Sequence, residues 1–293
     1  MRCDLHVHTR ASGMCTVPVL NRLCRESYNQ PHGVYQTLKR RGMDLVTVTD
    51  HDSIDAGDAL LPYADFFLSE EVSCVTPAGT KIHVGVYDIQ ERHHFEMQRR
   101  SEDLLSLLHY LDEQRLFYTI NHAFSRLTGL RVDDDFRLFA ARFPGMETRN
   151  GQMMPESNAL AQAFAYRYSE AQVAGSDGHT LASLGRTYTE VPGARNKQEF
   201  LAGLRAGRGR IRGESGDYWK LTRAVLDIGS SLVCERRWTA LLLPLLALVP
   251  VAIGLNCVGE LAFARKWGHV AAPTCALLKP FRMSDWRRFA GES

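Results

Sequence analysis

Cys3-Asp4-Leu5-His6-Val7-His8 is a short, strand-like run that ends in two imidazoles at i and i+2. On an extended backbone such residues share one side of the strand. The same grammar recurs down the chain: apolar runs at 3–7, 44–48, 66–68, 82–86, 117–120, 143–147 and 172–174 end in or next to polar clusters. Helical spacing fills several of the intervals, at 34–41, from about 93 to 115, and at 159–168 and 197–205. Strands alternating with helices favour parallel pairing and right-handed crossovers. Seven such runs within residues 1–213 predict an α/β fold on the scale of a (β/α) barrel; a doubly wound sheet shares the local grammar.

The clusters carry the chemistry. After His6 and His8 come Thr49-Asp50-His51-Asp52, Glu70-Glu71, His83, Asn121-His122, Glu147 and Ser176-Asp177-Gly178-His179. In a barrel of parallel strands the C-terminal ends converge on one face, which gathers six of the 11 histidines at a common centre. So many imidazoles and acids would repel or go unsatisfied without a cation, whereas neutral imidazole and carboxylate are good ligands for divalent metals. Nitrogen and oxygen donors without thiolate favour Mn, Fe or Zn. There are more donors than one metal can use, so two or three ions are expected. Clustered metals activate water and clamp the oxygens of a displacement, most often at phosphate esters.

The ordered set Asp4-Leu5-His6-Val7-His8-Thr9, Thr49-Asp50-His51-Asp52, Glu71-Val72-Ser73, His83, Asn121-His122 and Gly175-Ser176-Asp177-Gly178-His179 resembles the PHP (polymerase and histidinol phosphatase) superfamily, over roughly residues 1–213. The resemblance implies a distorted seven-stranded (β/α) barrel that holds up to three metals and acts as a metal-dependent phosphoesterase. Carried onto this chain, it implies that His6, His8, Glu71 and Asp177 hold one metal and form the catalytic set. Glu71 would bridge to a second metal held by His83 and His122, and His51 with His179 would hold the third. The Val-Ser that follows selects Glu71 over Glu70. One position departs: Ser12-Gly13-Met14 has Gly13 where the family carries an acid that would bind the third metal. Cys15 lies near enough in sequence to substitute.

Other residues have weaker claims. Arg126, Arg149 and Arg186 follow ligand-bearing strands or loops and could fork onto a phosphate, and Glu147 ends a strand on the same face. Asp50 and Asp52 flank His51 and are expected to set its tautomer. His93 and His94 open a helical pattern and are expected to face solvent.

Beyond residue 213 the composition changes. Gly207-Arg208-Gly209-Arg210-Ile211-Arg212-Gly213 reads as a linker, and 214–293 as a helical region. Within it, 239–258 lacks any charged side chain, with Arg236 and Arg237 before it and Arg265 and Lys266 after it. That length suits a membrane association, interrupted by Pro244 and Pro250. The seven cysteines form no C-x-x-C pair and no apolar signal precedes residue 3, so reduced thiols and a cytoplasmic protein are expected, attached to the inner face of the membrane if 239–258 inserts.

With Lys+Arg 35 against Asp+Glu 33 the net charge is +2, which argues against a duplex nucleic-acid partner. The expected substrate is a small phosphorylated metabolite or nucleotide. The alternatives are a nuclease on short oligonucleotides, a non-catalytic module that binds a phosphorylated ligand at a membrane, and a C–N hydrolase on the same metals.

Overall fold

The computed structural model describes residues 1–17, 20–169 and 171–272. The end of the expected C-terminal region, 273–293 with Cys275, lies outside the described residues. The first half contains β1 (Arg2–Cys3), α1 (Pro31–Arg40), α2 (Gly57–Leu60), β2 (Ser69–Val75), β3 (Lys81–Tyr87), α3 (Glu91–Gln98), α4 (Leu104–Glu113) and β4 (Phe117–Ile120). There follow α5 (Asp133–Arg142), β5 (Gly145–Asn150), α6 (Pro155–Tyr168), β6 (Ala171–Gly175), β7 (Thr187–Glu190), α7 (Lys197–Arg205) and β8 (Arg210–Gly213). The chain then forms α8 (Tyr218–Glu235), a 3-10 helix (Arg237–Leu248) and α9 (Val249–Ala271).

The α/β class agrees with the sequence, but the pairing is mixed rather than all parallel. One sheet has the order β2-β3-β4-β5-β6, the other β1-β7-β8, and the two are not closed into a ring. In the larger sheet β2–β3 and β3–β4 are antiparallel, while β4–β5 and β5–β6 are parallel. The turn Thr76-Pro77-Ala78-Gly79-Thr80 explains the first reversal. The Thr76 amide donates to the Thr80 carbonyl (2.9 Å) and the Gly79 amide to Thr76 (2.8 Å), with Gly79 at φ 78°. Only glycine adopts that backbone at no steric cost, so the chain doubles back without a crossover helix. Outside the ladders of the two sheets, single parallel bridges join Val7 to Gly178, Val46 to Phe66 and His51 to Glu71. The runs expected at 44–48 and 66–68 take part in these bridges, not in ladders.

Two further expectations change. The helix drawn from 93 to 115 breaks in two, because the Asp103 side chain caps α4 by accepting from the Leu105 and Ser106 amides. The stretch 207–213 is no simple linker, since β8 pairs with β7.

Period-two alternation orients the site. In β3, Ile82, Val84 and Val86 enter the main hydrophobic core with Val72 and Cys74 of β2. Their neighbours Glu71, Ser73 and His83 therefore point the other way, and pairing of Ser73 with His83 puts them on one face.

The C-terminal helices double back on α8. A Cβ at Gly229 of α8 would meet Leu246, and one at Gly254 of α9 would meet Tyr218. Phe263, Trp267, Val270 and Ala271 of α9 are buried in the main core, Trp267 with its ring 5.0 Å from that of Phe136. The apolar run 239–258 is therefore one side of a helical arm. Leu241, Leu243, Leu245, Leu248, Val251, Leu255 and Val258 are exposed along it. By length and composition alone, Arg237–Ala271 is apolar enough to cross a membrane, with a mean hydropathy of 2.4 over its best window.

Candidate metal centre

Glu71 sits at the middle of the cluster. Its Oε2 lies 3.1 Å from His6 Nε2, 3.5 Å from His8 Nε2 and 3.2 Å from His51 Nδ1. Its Oε1 lies 3.2 Å from His122 Nε2 and 3.5 Å from His83 Nδ1, and accepts a hydrogen bond from Asn121 Nδ2 at 2.9 Å. Asp177 Oδ1 is 3.2 Å from His8 Nε2 and 3.6 Å from both His6 Nε2 and His179 Nδ1. The structure thus brings together His6, His8, His51, Glu71, His83, His122, Asp177 and His179. Their donor atoms group as His6–His8–Asp177, His6–Glu71–His122, His51–Glu71–His83 and His8–His51–His179.

The local backbone is bent to make this possible. His122 and Asp177 have φ of 30° and 50°, a region that costs a non-glycine residue energy and persists where surrounding structure imposes it. Gly175 lets β6 lie against the first motif, since a Cβ there would collide with the His6 backbone.

These residues fit a divalent metal. Nε2 of His8 and Nδ1 of His51 and His83 are buried and lack a hydrogen-bond partner, which is costly in a protein interior. The charge distribution leads to the same conclusion. Burial works against charge on Glu71 and Asp177, yet the surrounding imidazoles hold both carboxyls well below their usual range. Burial also opposes charge on His6, but Glu71, Asp177 and Glu147 raise it well above an ordinary histidine. His51 is likewise raised to about 9, burial being outweighed by Glu71 and Glu26. His8 goes the other way, to about 3, through burial and then the neighbouring His179, His51 and His6. Without a cation the carboxylates must be compensated by protons on some of the imidazoles.

Several supporting groups differ from expectation. Glu147, expected to line the substrate side, turns inward. Its Oε1 is 2.8 Å from His6 Nδ1, while Oε2 accepts from the His122 amide (2.9 Å) and Asn150 Nδ2 (3.0 Å). It orients His6. Asp50 does not set the tautomer of His51: it accepts from Ser12 Oγ (2.6 Å), whose oxygen is 3.1 Å from His8 Nδ1. A Ser12 hydroxyl committed to Asp50 receives the His8 Nδ1 proton and leaves Nε2 free toward the cluster. Asp52 instead accepts from the Ser73 amide at 2.7 Å. His93 is buried, not solvent-facing, with Nδ1 accepting from the Gln90 amide, and His94 Nδ1 lies 2.9 Å from Glu70.

The three arginines are engaged elsewhere. A Cβ at Gly259 of α9 would collide with the Arg126 guanidinium; Arg149 donates to the Gly213 carbonyl at 3.0 Å; Arg186 donates to Ala182 at 2.9 Å and lies 3.7 Å from Glu214. Among the described residues, no hydrogen bond or ion pair joins any of them to the cluster.

Sequence reasoning missed Glu26, whose Oε1 is 3.5 Å from His51 Nε2 and 3.6 Å from His179 Nε2. It lies in no strand and follows no apolar run, so only its fold position reveals it. Sequence reasoning also missed Asn150, which donates to Asp177 Oδ2 at 3.0 Å.

Comparison with known proteins agrees with this geometry. A family model described as PHP-associated (PHP_C) matches residues 155–208. An uncharacterised protein of Methanocaldococcus jannaschii is 33% identical over 57 residues, 20% of this chain and 32% of the relative, so the match spans about a third of that protein. The structure of PsfC from Pseudomonas syringae PB-5123 is similar with a TM-score of 0.54 at 16% identity, covering 79% of this chain and 97% of PsfC. The lesion-specific endonuclease EndoQ from Pyrococcus furiosus has a TM-score of 0.50 at 17% identity, covering 72% of this chain and 57% of the other. Endonuclease Q complexed with a 27-mer duplex carrying an abasic lesion also has a TM-score of 0.50, at 15% identity over 72% of this chain and 58% of the other. That complex overturns the exclusion of duplex nucleic acid drawn from net charge: a chain-wide sum says nothing about the local charge at a binding face. Motif order and the clustered donors agree with the PHP-associated match over residues 155–208 and with the shared fold, and in these respects the chain resembles the PHP superfamily.

Proposed function

We propose that this chain is a metal-dependent hydrolase of phosphoric esters. The observation that carries the reading is Glu71, both of whose oxygens face imidazole nitrogens, three of them buried and unpartnered. His6, His8, Glu71 and Asp177 would hold one divalent ion, and Glu71, His83 and His122 a second, with Mn, Fe or Zn suited to these donors. Such ions supply water activation and Lewis-acid stabilisation of charge. The chain's own part is positional: Glu147 holds His6, Ser12 with Asp50 holds His8, and Asn121 and Asn150 hold the two carboxylates. In this reading residues 1–213 form the metal-binding unit, its single bridges completing a distorted barrel, and 214–293 the appended helical region.

Two substrate classes are kept, small phosphomonoesters and the phosphodiester backbone of nucleic acid. The second is supported by the fold shared with a lesion-specific endonuclease. The exposed apolar arm, flanked by Arg236, Arg237, Arg265 and Lys266, supports contact with the cytoplasmic face of a membrane. The test is an assay of the full chain on phosphomonoesters, short oligonucleotides and duplexes with and without an abasic site, with and without added manganese. Hydrolysis that needs metal and disappears in His8→Ala and Asp177→Ala is expected. Activity that survives either substitution overturns the reading.

A further inference from the structure

We infer that Glu26 replaces the acid missing at position 13 and completes a third metal site with His51 and His179, an inference that rests on the metal centre proposed above. Residues 13–15 lie alongside residues 24–26. Met14 bridges Arg25 in antiparallel fashion, the Cys15 amide donates to the Cys24 carbonyl at 3.0 Å, and the Glu26 amide donates to the Gly13 carbonyl at 3.1 Å. Thirteen residues of sequence separation thereby collapse, and Glu26 stands beside the position where an acid is absent. Gly13 has φ 82° and ψ −142°, a backbone that an aspartate rarely adopts. The same turn that disfavours a carboxylate at 13 delivers one from 26.

The spacing suits a metal. Glu26 Oε1 lies 3.5 Å from His51 Nε2 and 3.6 Å from His179 Nε2, too long for a good hydrogen bond. Donors about 2.1 Å from a shared tetrahedral ion stand about 3.4 Å apart, the tetrahedron edge. A second observation indicates a cation here. His8, fully buried, stacks on His51 and His179 with ring centroids 4.6 and 4.4 Å away. His8, His51 and His179 bring donor atoms close enough for one ion, and with His8 Nε2 turned to the first ion beside Asp177 Oδ1 (3.2 Å), His51 and His179 are the imidazoles left for this one. Cys15, the alternative in sequence, bonds through its backbone to Cys24, whereas Glu26 Oε1 stands between His51 Nε2 and His179 Nε2.

The experiment is metal stoichiometry, independent of any substrate. The full chain is loaded with manganese or zinc, dialysed and analysed for bound metal per chain, then titrated with a competing chelator. Glu26→Gln is expected to bind one ion fewer, or to weaken the most labile ion by more than about 100-fold, beyond the 10- to 100-fold typical of a residue that only orients a ligand. Cys15→Ser is expected to match the parent, and Glu26→Asp, which keeps the carboxylate, to fall between and to serve if the glutamine variant does not fold. Unchanged stoichiometry and chelator resistance in Glu26→Gln, or loss of the ion in Cys15→Ser instead, overturns the inference while leaving the other metals in place. Absence of metal from the parent would overturn the hydrolase reading as well.

Discussion

The Glu260 carboxylate, on the C-terminal helix α9, accepts a hydrogen bond from the Arg126 backbone amide at 3.2 Å, four residues after His122 of the metal cluster. Ser125 Oγ donates to the same oxygen at 3.3 Å. An apolar helix thus carries, midway along its length, a buried acid that fastens the loop behind a metal-site histidine. Truncation in Glu260→Ala leaves the buried Ser125 hydroxyl and the part-buried Arg126 amide without this acceptor, at a cost of about 1–3 kcal/mol. We expect a lower Tm and faster amide exchange at 123–128, with Glu260→Gln close to the parent because its carbonyl still accepts. Equal behaviour of the two variants would show that the loop is held by apolar packing alone.

Glu147 and His6, 2.8 Å apart through Oε1 and Nδ1, give a second test. If Glu147 orients His6, Glu147→Gln weakens metal retention or lowers kcat by about 10- to 100-fold and leaves KM nearly unchanged. A raised KM at constant kcat and full metal content would instead make Glu147 a substrate contact.

These residues show what the sequence could convey. Seven of the eight motif residues were legible because they end or follow an apolar run, and His83 because it opens one. Glu147 was legible as a strand-end acid, but not its direction, which depends on the amides of His122 and Asn150 side chain reaching it. Glu26 was not legible, because its place comes from a loop folded by backbone bonds that any sequence can make. The mixed sheet escaped for a similar reason: one tight turn at 76–80 reverses the pairing, and neither hydrophobic runs nor helix spacing register the direction of a strand.

Protonation gives a signed pH dependence. His51 is raised to about 9 from about 6.5 in an unfolded chain, so its contribution to the metal-free protein is full below pH 6.5 and lost as pH rises through 9. His6 acts in the same direction. His8, lowered to about 3, has the opposite effect and costs stability as pH falls below 6.5. Metal ligands must shed their protons, so metal affinity rises with pH over the same interval in which the metal-free form weakens. The Tm of manganese-loaded protein minus that of chelated protein should therefore grow from pH 6.5 to 9. A difference that shrinks over this range would mean that His51 and His6 do not exchange a proton for metal.

The last prediction concerns the arm. Leu241 and Leu248 are 82% and 61% exposed on the 3-10 helix Arg237–Leu248, and burial of each leucine in an apolar phase is worth about 1.5–3 kcal/mol. If this face meets a bilayer, Leu241→Lys combined with Leu248→Lys in the full chain removes about 3 kcal/mol or more, roughly 100-fold in partitioning onto vesicles that contain anionic lipid. Because neither side chain is buried in the body, thermal stability and bound metal should stay at parental values. Sedimentation with vesicles reads the first effect and metal analysis the second. Equal vesicle binding by the two proteins would remove the membrane role from this face, and a simultaneous loss of metal would show that the arm supports the centre instead.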